Sequence, residues 1–309
     1  MDRITRRTVL SSAGSTILTL GATAVSGNPG RGSGRNNTTV QMRETEDIGS
    51  AERCRLPQSM MDALGVQADQ QVRLVYDGEA AVFTVALSDD TFGYINDNGR
   101  ERLRAKSGSF RVAVSADVID SNLDEEQAKA EGGFIERTTE SEQSELAVLA
   151  PHGGYIEWGT DTQAERMTAQ LDATKWCSSG WSPGGGAFRR WHITSTAIHP
   201  DSFPALQDIS DREFDHAVAF HGWSESHVGI GGAAPTWLRR DVRDAISEVV
   251  DCDVRLATDG SRAGDSPENI VNWITTSGSD GVQIEQPWAV RDERRNTVAD
   301  AVADVFEVL

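Results

Sequence analysis

Short apolar segments alternate with helical patterns from Glu145 to the end of this 309-residue chain. The strand-like apolar segments cover residues 146–150, 191–194, 217–220, 254–257 and 282–285. Helical patterns lie at Thr160–Leu171, with Thr160 or Asp161 as the N-cap, after Pro235, and over residues 294–309. This alternation predicts an α/β domain over residues 145–309, with a mixed central sheet flanked by helices.

The preceding part of the chain has a different pattern. Apolar and polar residues alternate in four segments, which cover residues 71–76, 80–87, 91–95 and 110–114. Asp77-Gly78 separates the first two segments and Asn98-Gly99 precedes the last, and both dipeptides are typical of hairpin turns. We therefore predict a small β-rich domain over residues 49–120, followed by a charged and polar connection over residues 121–144.

The first residues are typical of an export signal. Arg6-Arg7 precedes a run of small and apolar residues, which resembles a twin-arginine signal. The run is too short and too rich in Ser, Thr and Gly for a membrane span. Residues 1–25 are therefore predicted to be a twin-arginine-type signal and residues 26–48 a linker. The protein is predicted to be exported, with no stable membrane span after signal cleavage, and retention of this segment as an N-terminal anchor is the alternative.

The charge balance argues against two classes of partner. The chain has 29 Lys and Arg against 48 Asp and Glu, which gives a formal net charge of −19. Such a surface repels nucleic acids and anionic membranes, so neither is an expected partner. Few of the basic residues are lysines, and an acidic, lysine-poor composition is typical of proteins from concentrated salt, where charge repulsion is screened. An acidic mesophilic protein is the alternative interpretation.

The cysteines carry little information about function. Cys54, Cys177 and Cys252 show no CxxC spacing, which argues against a thiolate zinc site. Export would permit a Cys177–Cys252 disulfide.

Metal-binding side chains stand where predicted strands end. His152 follows one strand, and Glu157 comes five residues later, after two glycines that permit a tight turn. His221 and Glu285 end two further strands. Two histidines and one carboxylate form a typical catalytic zinc site, and the remaining carboxylate could serve as a general base. A turn-capping role for His152 and a structural role for His221 remain as alternatives.

Several motifs in this part of the chain resemble the poly-γ-glutamate hydrolase family first known from bacteriophages, which has a zinc carboxypeptidase-like fold. They occur in the order APHGGYIEWGT, RRWHITST, AFHGW, VGIGG, NIVNW and GVQIE, followed by an arginine at position 291. The resemblance spans about residues 147–291, so the β-rich domain and the signal lie outside it.

The resemblance implies one zinc ion, with His152, Glu157 and His221 as ligands and Glu285 as the general base. It also implies that four residues face the substrate, namely Arg190, His192, Asn269 and Arg291. Guanidinium groups suit a γ-glutamyl polymer because each unit carries a free α-carboxylate. Two positions depart from the family: His199 follows HITST at a shifted position, and Trp273 stands where an arginine is usual.

The predicted function is zinc-dependent hydrolysis of γ-glutamyl amide bonds in poly-γ-glutamate or related γ-glutamyl peptides. A zinc peptidase or deacylase that acts on another amide would use the same residues. A non-catalytic exported binding protein with the same fold is the more distant alternative.

Overall fold

The computed structural model describes residues 38–142, 145–258, 260 and 262–309. Within these residues a closed six-stranded β-barrel precedes a seven-stranded mixed sheet. The predicted signal and the first part of the predicted linker lie outside the described residues. No helix in the described part combines the length and the apolar character needed to cross a bilayer.

The barrel comes first in the chain. Its strands are β1 (Thr38–Glu44), β2 (Arg53–Pro57), β3 (Gln71–Tyr76), β4 (Glu79–Ser88), β5 (Gly93–Ile95) and β6 (Phe110–Ser115). Two short helices, α1 (Gln58–Leu64) and α2 (Asp97–Arg102), connect described strands. The strand order is β1-β5-β2-β4-β3-β6, and pairing between β1 and β6 closes the barrel. The predicted β-rich domain is therefore a barrel.

Strand β4 joins the barrel to the rest of the structure. Ala81, Phe83 and Val85 lie in the barrel core, whereas Ala80 and Val82 lie in a core shared with the sheet. Successive side chains of a strand point to opposite faces, so burial of both sets means that β4 is covered on both sides. The barrel therefore packs directly against the α/β part.

The seven-stranded sheet forms the second part of the molecule. Its strands are β7 (Phe134–Thr139), β8 (Leu146–Gly154), β9 (Thr174–Gly180), β10 (His216–Gly222), β11 (Val228–Gly231), β12 (Val254–Leu256) and β13 (Gly281–Gln286). The order is β12-β11-β13-β10-β8-β9-β7. The strands β13, β10, β8 and β9 run parallel, whereas β11 and β7 pair antiparallel with their neighbours β13 and β9. The predicted mixed α/β sheet is confirmed.

Helices cover both faces of this sheet. They are α3 (Glu125–Glu131), α4 (Thr160–Leu171), α5 (Ala187–Trp191), α6 (Pro204–Ile209), α7 (Thr236–Ser247), α8 (Ile270–Trp273), α9 (Trp288–Glu293) and α10 (Arg295–Phe306), with a short 3₁₀ turn at Pro200–Ser202. The helices α4, α7 and α10 share one hydrophobic core with the sheet. The helices α5, α6 and α8 share the core on the other face, to which β4 of the barrel also contributes.

The predicted linker and connection contain regular structure, so both predictions were wrong in part. Strand β1 occupies residues 38–44 of the predicted linker, and α3 and β7 lie within residues 121–144. In β1 only Val40 and Met42 are buried. In β7, which is at the edge of the sheet, only Phe134 and Ile135 are buried. Elements with so few buried residues resemble polar linkers in composition.

Two local predictions were also wrong. Asn98-Gly99 lies in α2 rather than in a hairpin turn, because the side chain of Asn96 accepts a hydrogen bond from the backbone N–H of Gly99 at 2.7 Å and caps a helix there. The predicted strand at residues 191–194 is the end of α5 followed by a loop, and Ile193 is buried without joining the sheet. The three cysteines are free thiols, so the Cys177–Cys252 disulfide is not formed.

Candidate metal centre

Three adjacent parallel strands bring the predicted site together. Strands β8, β10 and β13 lie next to one another, so their carboxyl ends are at the same edge of the sheet. His152 lies near the end of β8, and His221 and Glu285 lie near the ends of β10 and β13. His221 and Glu285 are direct neighbours in the register of their two strands. This edge is where open α/β sheets place their ligand sites.

A tight turn after β8 returns Glu157 to His152. Gly154 has a φ of +68°, and a Cβ atom there would lie 2.8 Å from the carbonyl oxygen of Gly180. Only glycine fits this position without strain, because both the backbone conformation and the space exclude a side chain. The backbone N–H of Glu157 then donates to the carbonyl oxygen of His152 at 2.8 Å. The turn therefore places the two side chains beside each other.

Three ligand atoms form a nearly equilateral triangle. Nδ1 of His152 lies 3.1 Å from Nδ1 of His221 and 3.1 Å from Oε2 of Glu157. The third side, from His221 Nδ1 to Glu157 Oε2, is 3.4 Å. Zinc bonds of about 2.0–2.1 Å at tetrahedral angles separate neighbouring ligand atoms by roughly 3.3 Å. The triangle therefore matches one face of a zinc tetrahedron.

The orientation of His152 makes its Nδ1 available. Its Nε2 lies 2.8 Å from the carbonyl oxygen of Ile193. A carbonyl oxygen can only accept, so Nε2 carries the proton and the Nδ1 of the neutral ring has a free lone pair. Oε2 of Glu157 also accepts a hydrogen bond from the backbone N–H of Gly222 at 2.9 Å. Both predicted ligands are therefore held by backbone groups.

Charge and burial shift the pKa values in the triangle. Burial raises the pKa of Glu157, but the charges of His152 and His221 and their hydrogen bonds outweigh it and hold this pKa well below its usual range. Burial lowers the pKa of His152, but the charge and hydrogen bond of Glu157 raise it above its ordinary value. These shifts mean that the cluster favours an ionised Glu157 with positive charge beside it. A bound divalent cation would supply that positive charge.

His192 borders the same cluster and offers a second set of three groups. Ligand atoms of His152, Glu157 and His192 all lie within 4.8 Å of one another. Nε2 of His192 is 3.8 Å from Oε1 of Glu157, which is longer than any side of the triangle that includes His221. Its Nδ1 lies 2.5 Å from Oε1 of Glu52. The tighter triangle fits zinc better, and His192 lies beside it.

Glu285 is held by two buried amides. Nε2 of Gln283 donates to Oε1 of Glu285 at 3.0 Å, and Nδ2 of Asn269 donates to Oε1 of Gln283 at 2.8 Å. Asn269 also caps α8 through its side-chain oxygen. Burial raises the pKa of Glu285 to about 7, while the charge of His221 lowers it and that of Glu157 raises it. Asn269 therefore acts on this carboxylate through Gln283.

The structure does not bring Arg190 into the cluster. Its Nε donates to the carbonyl oxygen of Ala80 in the barrel at 2.8 Å, and its Nη1 lies 4.0 Å from Glu79. Arg291 does lie near the cluster. Burial lowers its pKa, and the negative charges of Glu157 and Glu285 partly offset this effect, which places both carboxylates within electrostatic range of its guanidinium.

Arg291 is engaged with the backbone around the site. It donates to the carbonyl oxygens of Gln286 at 3.2 Å and Trp158 at 2.7 Å. A Cβ at Gly222 would lie 2.4 Å from its Cζ, so its guanidinium packs against the chain next to His221. These contacts indicate that Arg291 supports the loops of the site.

Three residues near the site were missed in the sequence. Glu52 lies in the barrel, outside every motif, and no local signal connects it with His192. Gln283 lies two residues before Glu285, so the alternation of β13 places both on one side of the strand, and this was a usable signal. The charge of Arg262, a half-exposed side chain, lowers the pKa of Glu285. Arg262 therefore lies within electrostatic range of the cluster.

The structure is thus a mixed α/β sheet with a candidate metal site, two histidines and two carboxylates, at the carboxyl ends of its parallel strands. The family model described as poly-gamma-glutamate hydrolase matches residues 121–300, more than half of the chain. The chain therefore belongs to the poly-γ-glutamate hydrolase family.

Known proteins are similar over the same region. The UPF0714 protein YndL of Bacillus subtilis (strain 168) is 28% identical over 181 residues, which cover 58% of this chain and 68% of YndL. A structure of a bacteriophage poly-γ-glutamate hydrolase is 24% identical, covers 56% of this chain and 87% of the other, and has a TM-score of 0.48. A structure of zinc-free YndL has the same identity and coverage, with a TM-score of 0.43.

Proposed function

We propose that this protein is a zinc-dependent hydrolase of γ-glutamyl amide bonds, with poly-γ-glutamate or a related γ-glutamyl peptide as substrate. The observation that carries the proposal is the triangle of His152, Glu157 and His221, with sides of 3.1–3.4 Å, next to a buried glutamate in a member of this family. Two imidazole nitrogens and one carboxylate oxygen leave a fourth position open, as in catalytic rather than structural zinc sites.

His152, Glu157 and His221 would hold the ion. When bound, zinc supplies a positive charge that polarises the scissile carbonyl and lowers the pKa of an adjacent water. The Gly222 N–H and the Ile193 carbonyl keep Glu157 and His152 in the required orientation. This support outside the ligand set is typical of catalytic metal sites, where it fixes the tautomer and the direction of each ligand.

Glu285 is the proposed general base. Its carboxylate removes a proton from the attacking water and then delivers that proton to the leaving amine. Burial raises the pKa of Glu285 to about 7. A carboxyl group with a pKa near neutral pH can accept a proton from water and give it up again to the leaving amine. The hydrogen bond from Gln283 directs one of its oxygens and leaves the other for water.

The substrate follows from the family and from nearby cationic groups. Each unit of a γ-glutamyl polymer carries an α-carboxylate, which requires a local positive charge on a protein of net charge −19. Arg262 is half exposed, forms a solvent-exposed ion pair with Glu225 at 3.1 Å, and is close enough to lower the pKa of Glu285. We assign the contact with a substrate carboxylate to Arg262, and not to Arg190, whose guanidinium faces the barrel.

Metal analysis combined with digestion of two polymers tests the function. The purified protein is expected to contain one zinc per chain and to shorten poly-γ-glutamate, with α-linked polyglutamate as the matched control. Cleavage of the α-linked polymer or of an N-acyl amino acid, with no cleavage of the γ-linked polymer, would identify a peptidase or deacylase. Bound zinc without hydrolysis of any of these would identify a binding protein.

A further inference from the structure

The barrel lies against the segment that carries His192. Arg102, a buried barrel residue, donates through one terminal nitrogen to the carbonyl oxygens of Arg190 at 3.2 Å and His192 at 3.0 Å. The same nitrogen donates to the carbonyl oxygen of Val82 in β4 at 2.8 Å. The backbone at residues 190–192 is therefore anchored to the barrel.

Glu52 provides a second connection between the barrel and this segment. Its Oε2 accepts two hydrogen bonds from Thr194, from the backbone N–H and from the hydroxyl, each at 2.8 Å. Its Oε1 lies 2.5 Å from Nδ1 of His192. The backbone carbonyl of Glu52 accepts from Thr84 of β4 at 2.8 Å, which ties the position of this carboxylate to the barrel wall.

The contact with Glu52 determines the tautomer of His192. An ionised carboxylate only accepts hydrogen bonds, so Nδ1 of His192 carries a proton and Nε2 of the neutral ring has the lone pair. Nε2 is the nitrogen on the side of the cluster, 3.8 Å from Glu157 Oε1. The ring of Phe188 stacks on His192 with centroids 4.2 Å apart, and the ring of His152 lies 4.1 Å away.

The same segment also orients a proposed zinc ligand. The carbonyl oxygen of Ile193 accepts the hydrogen bond from His152. Ile193 lies between His192 and Thr194, both of which contact Glu52. A change in the barrel at this point would therefore affect two histidines of the site together.

We propose that the barrel completes the active site, with Glu52 as a positioning residue that holds His192 with Nε2 directed at the cluster. This inference rests on the proposed function, and it extends that function to a part of the chain that the family match, residues 121–300, does not include. His192 is not one of the three proposed ligands, so Glu52 acts through the orientation and tautomer of His192, and its replacement is expected to lower activity by about 10–100-fold.

The variant Glu52→Gln reverses the tautomer while keeping the shape. The Thr194 N–H can only donate, so the single amide oxygen of Gln stays with Thr194 and the amide NH₂ faces His192. Nδ1 of His192 must then accept, and the proton moves to Nε2. The matched control is Glu46→Gln, an exposed glutamate in the same connection between β1 and β2.

Long-range ¹H–¹⁵N spectra of the metal-free protein report the tautomer directly, with His192 assigned from the variant His192→Gln. The Nδ1–H form is expected in the wild type and in Glu46→Gln, and the Nε2–H form in Glu52→Gln. An unchanged tautomer in Glu52→Gln overturns the proposal. This measurement needs no catalysis, so it decides the role of Glu52 even if the wild type proves inactive on γ-glutamyl polymers.

Kinetics of the zinc-loaded full-length protein separate a positioning role from a structural one. At a temperature where both variants are folded, Glu52→Gln is expected to lower kcat by about 10–100-fold with KM near that of Glu46→Gln. In a His192→Gln background the same change should have little further effect, because Glu52 acts through His192. If the two substitutions instead lower kcat by independent factors that multiply in the double variant, Glu52 does not act through His192. If Glu52→Gln does not fold, Glu52→Asp, which keeps the charge but has a shorter reach, must lower kcat for the proposal to stand.

Discussion

Gln283 Nε2 donates a hydrogen bond to Glu285 Oε1 at 3.0 Å, two residues along the same strand. The amide of Gln283 is itself fixed, because its oxygen accepts from Asn269 at 2.8 Å. The proposed general base is therefore oriented by a buried amide.

Replacing this amide by an apolar side chain tests its role. Gln283→Leu removes the donor to Glu285 and leaves Asn269 without its acceptor. We expect kcat on poly-γ-glutamate to fall by about tenfold or more, since a hydrogen bond to a charged group contributes about 1.5–3 kcal/mol. Zinc content should stay unchanged. Gln170→Leu, at an exposed position on α4, is the control, and equal activity of the two variants would rule out the role of Gln283.

Removal of a proposed ligand should be visible in the metal content. His221→Ala deletes one corner of the triangle, so zinc per chain should fall well below one and activity should disappear. Added zinc should raise the melting temperature of the metal-free wild type much more than that of the variant, because a ligand that binds only the folded state stabilises it. His199→Ala, a histidine outside the triangle, is the control. Full zinc occupancy in His221→Ala would contradict the assignment.

Glu285→Gln separates metal binding from catalysis. Zinc content should be retained, whereas turnover should fall by at least about 10²-fold, since general-base catalysis typically contributes about 10²–10⁴-fold. The base must be deprotonated to act, so kcat/KM of the wild type should rise with pH as Glu285 ionises. Its pKa is about 7 in the metal-free structure, and a bound cation would lower it. A variant with wild-type turnover would exclude Glu285 as the base.

The pH dependence of stability tests the contact between the barrel and the site. Burial raises the pKa of Glu52, but the hydrogen bond and charge of His192, together with the charge of Arg102, lower it from 4.5 to about 2. A depressed folded-state pKa stabilises the protein above the unfolded value, and this contribution is lost as the pH falls from about 4.5 toward 2.

Glu52→Gln should accordingly unfold more easily than the wild type at pH 7, by on the order of 1–3 kcal/mol. The difference should shrink in urea titrations at pH 5, 4 and 3. Glu46→Gln should show no such trend. A difference between Glu52→Gln and the wild type that is the same at every pH would show that the charge of Glu52 is not involved.

The sequence was informative where an element carries its own pattern. The α/β alternation predicted the mixed sheet, and the helix predicted at Thr160–Leu171 has those bounds in the structure, although its N-cap is Gly159 and not Thr160 or Asp161. The prediction failed for β1 and β7, whose few buried residues depend on neighbours that are distant in the chain. It failed also at residues 191–194, where alternating burial results from packing in the core that the sheet and the barrel share, and not from strand pairing.

The sequence by itself determined which residues stand at the strand ends, because strand periodicity and the two glycines after His152 are local properties. It therefore identified His152, Glu157, His221 and Glu285 as one candidate group, and the structure places all four at one edge of the sheet. Only the tertiary structure decided that Glu52 of the barrel contacts His192 and that Arg190 faces away from the cluster. Such contacts depend on how the barrel packs against the sheet, and residues 140 positions apart in the sequence carry no local pattern that records them.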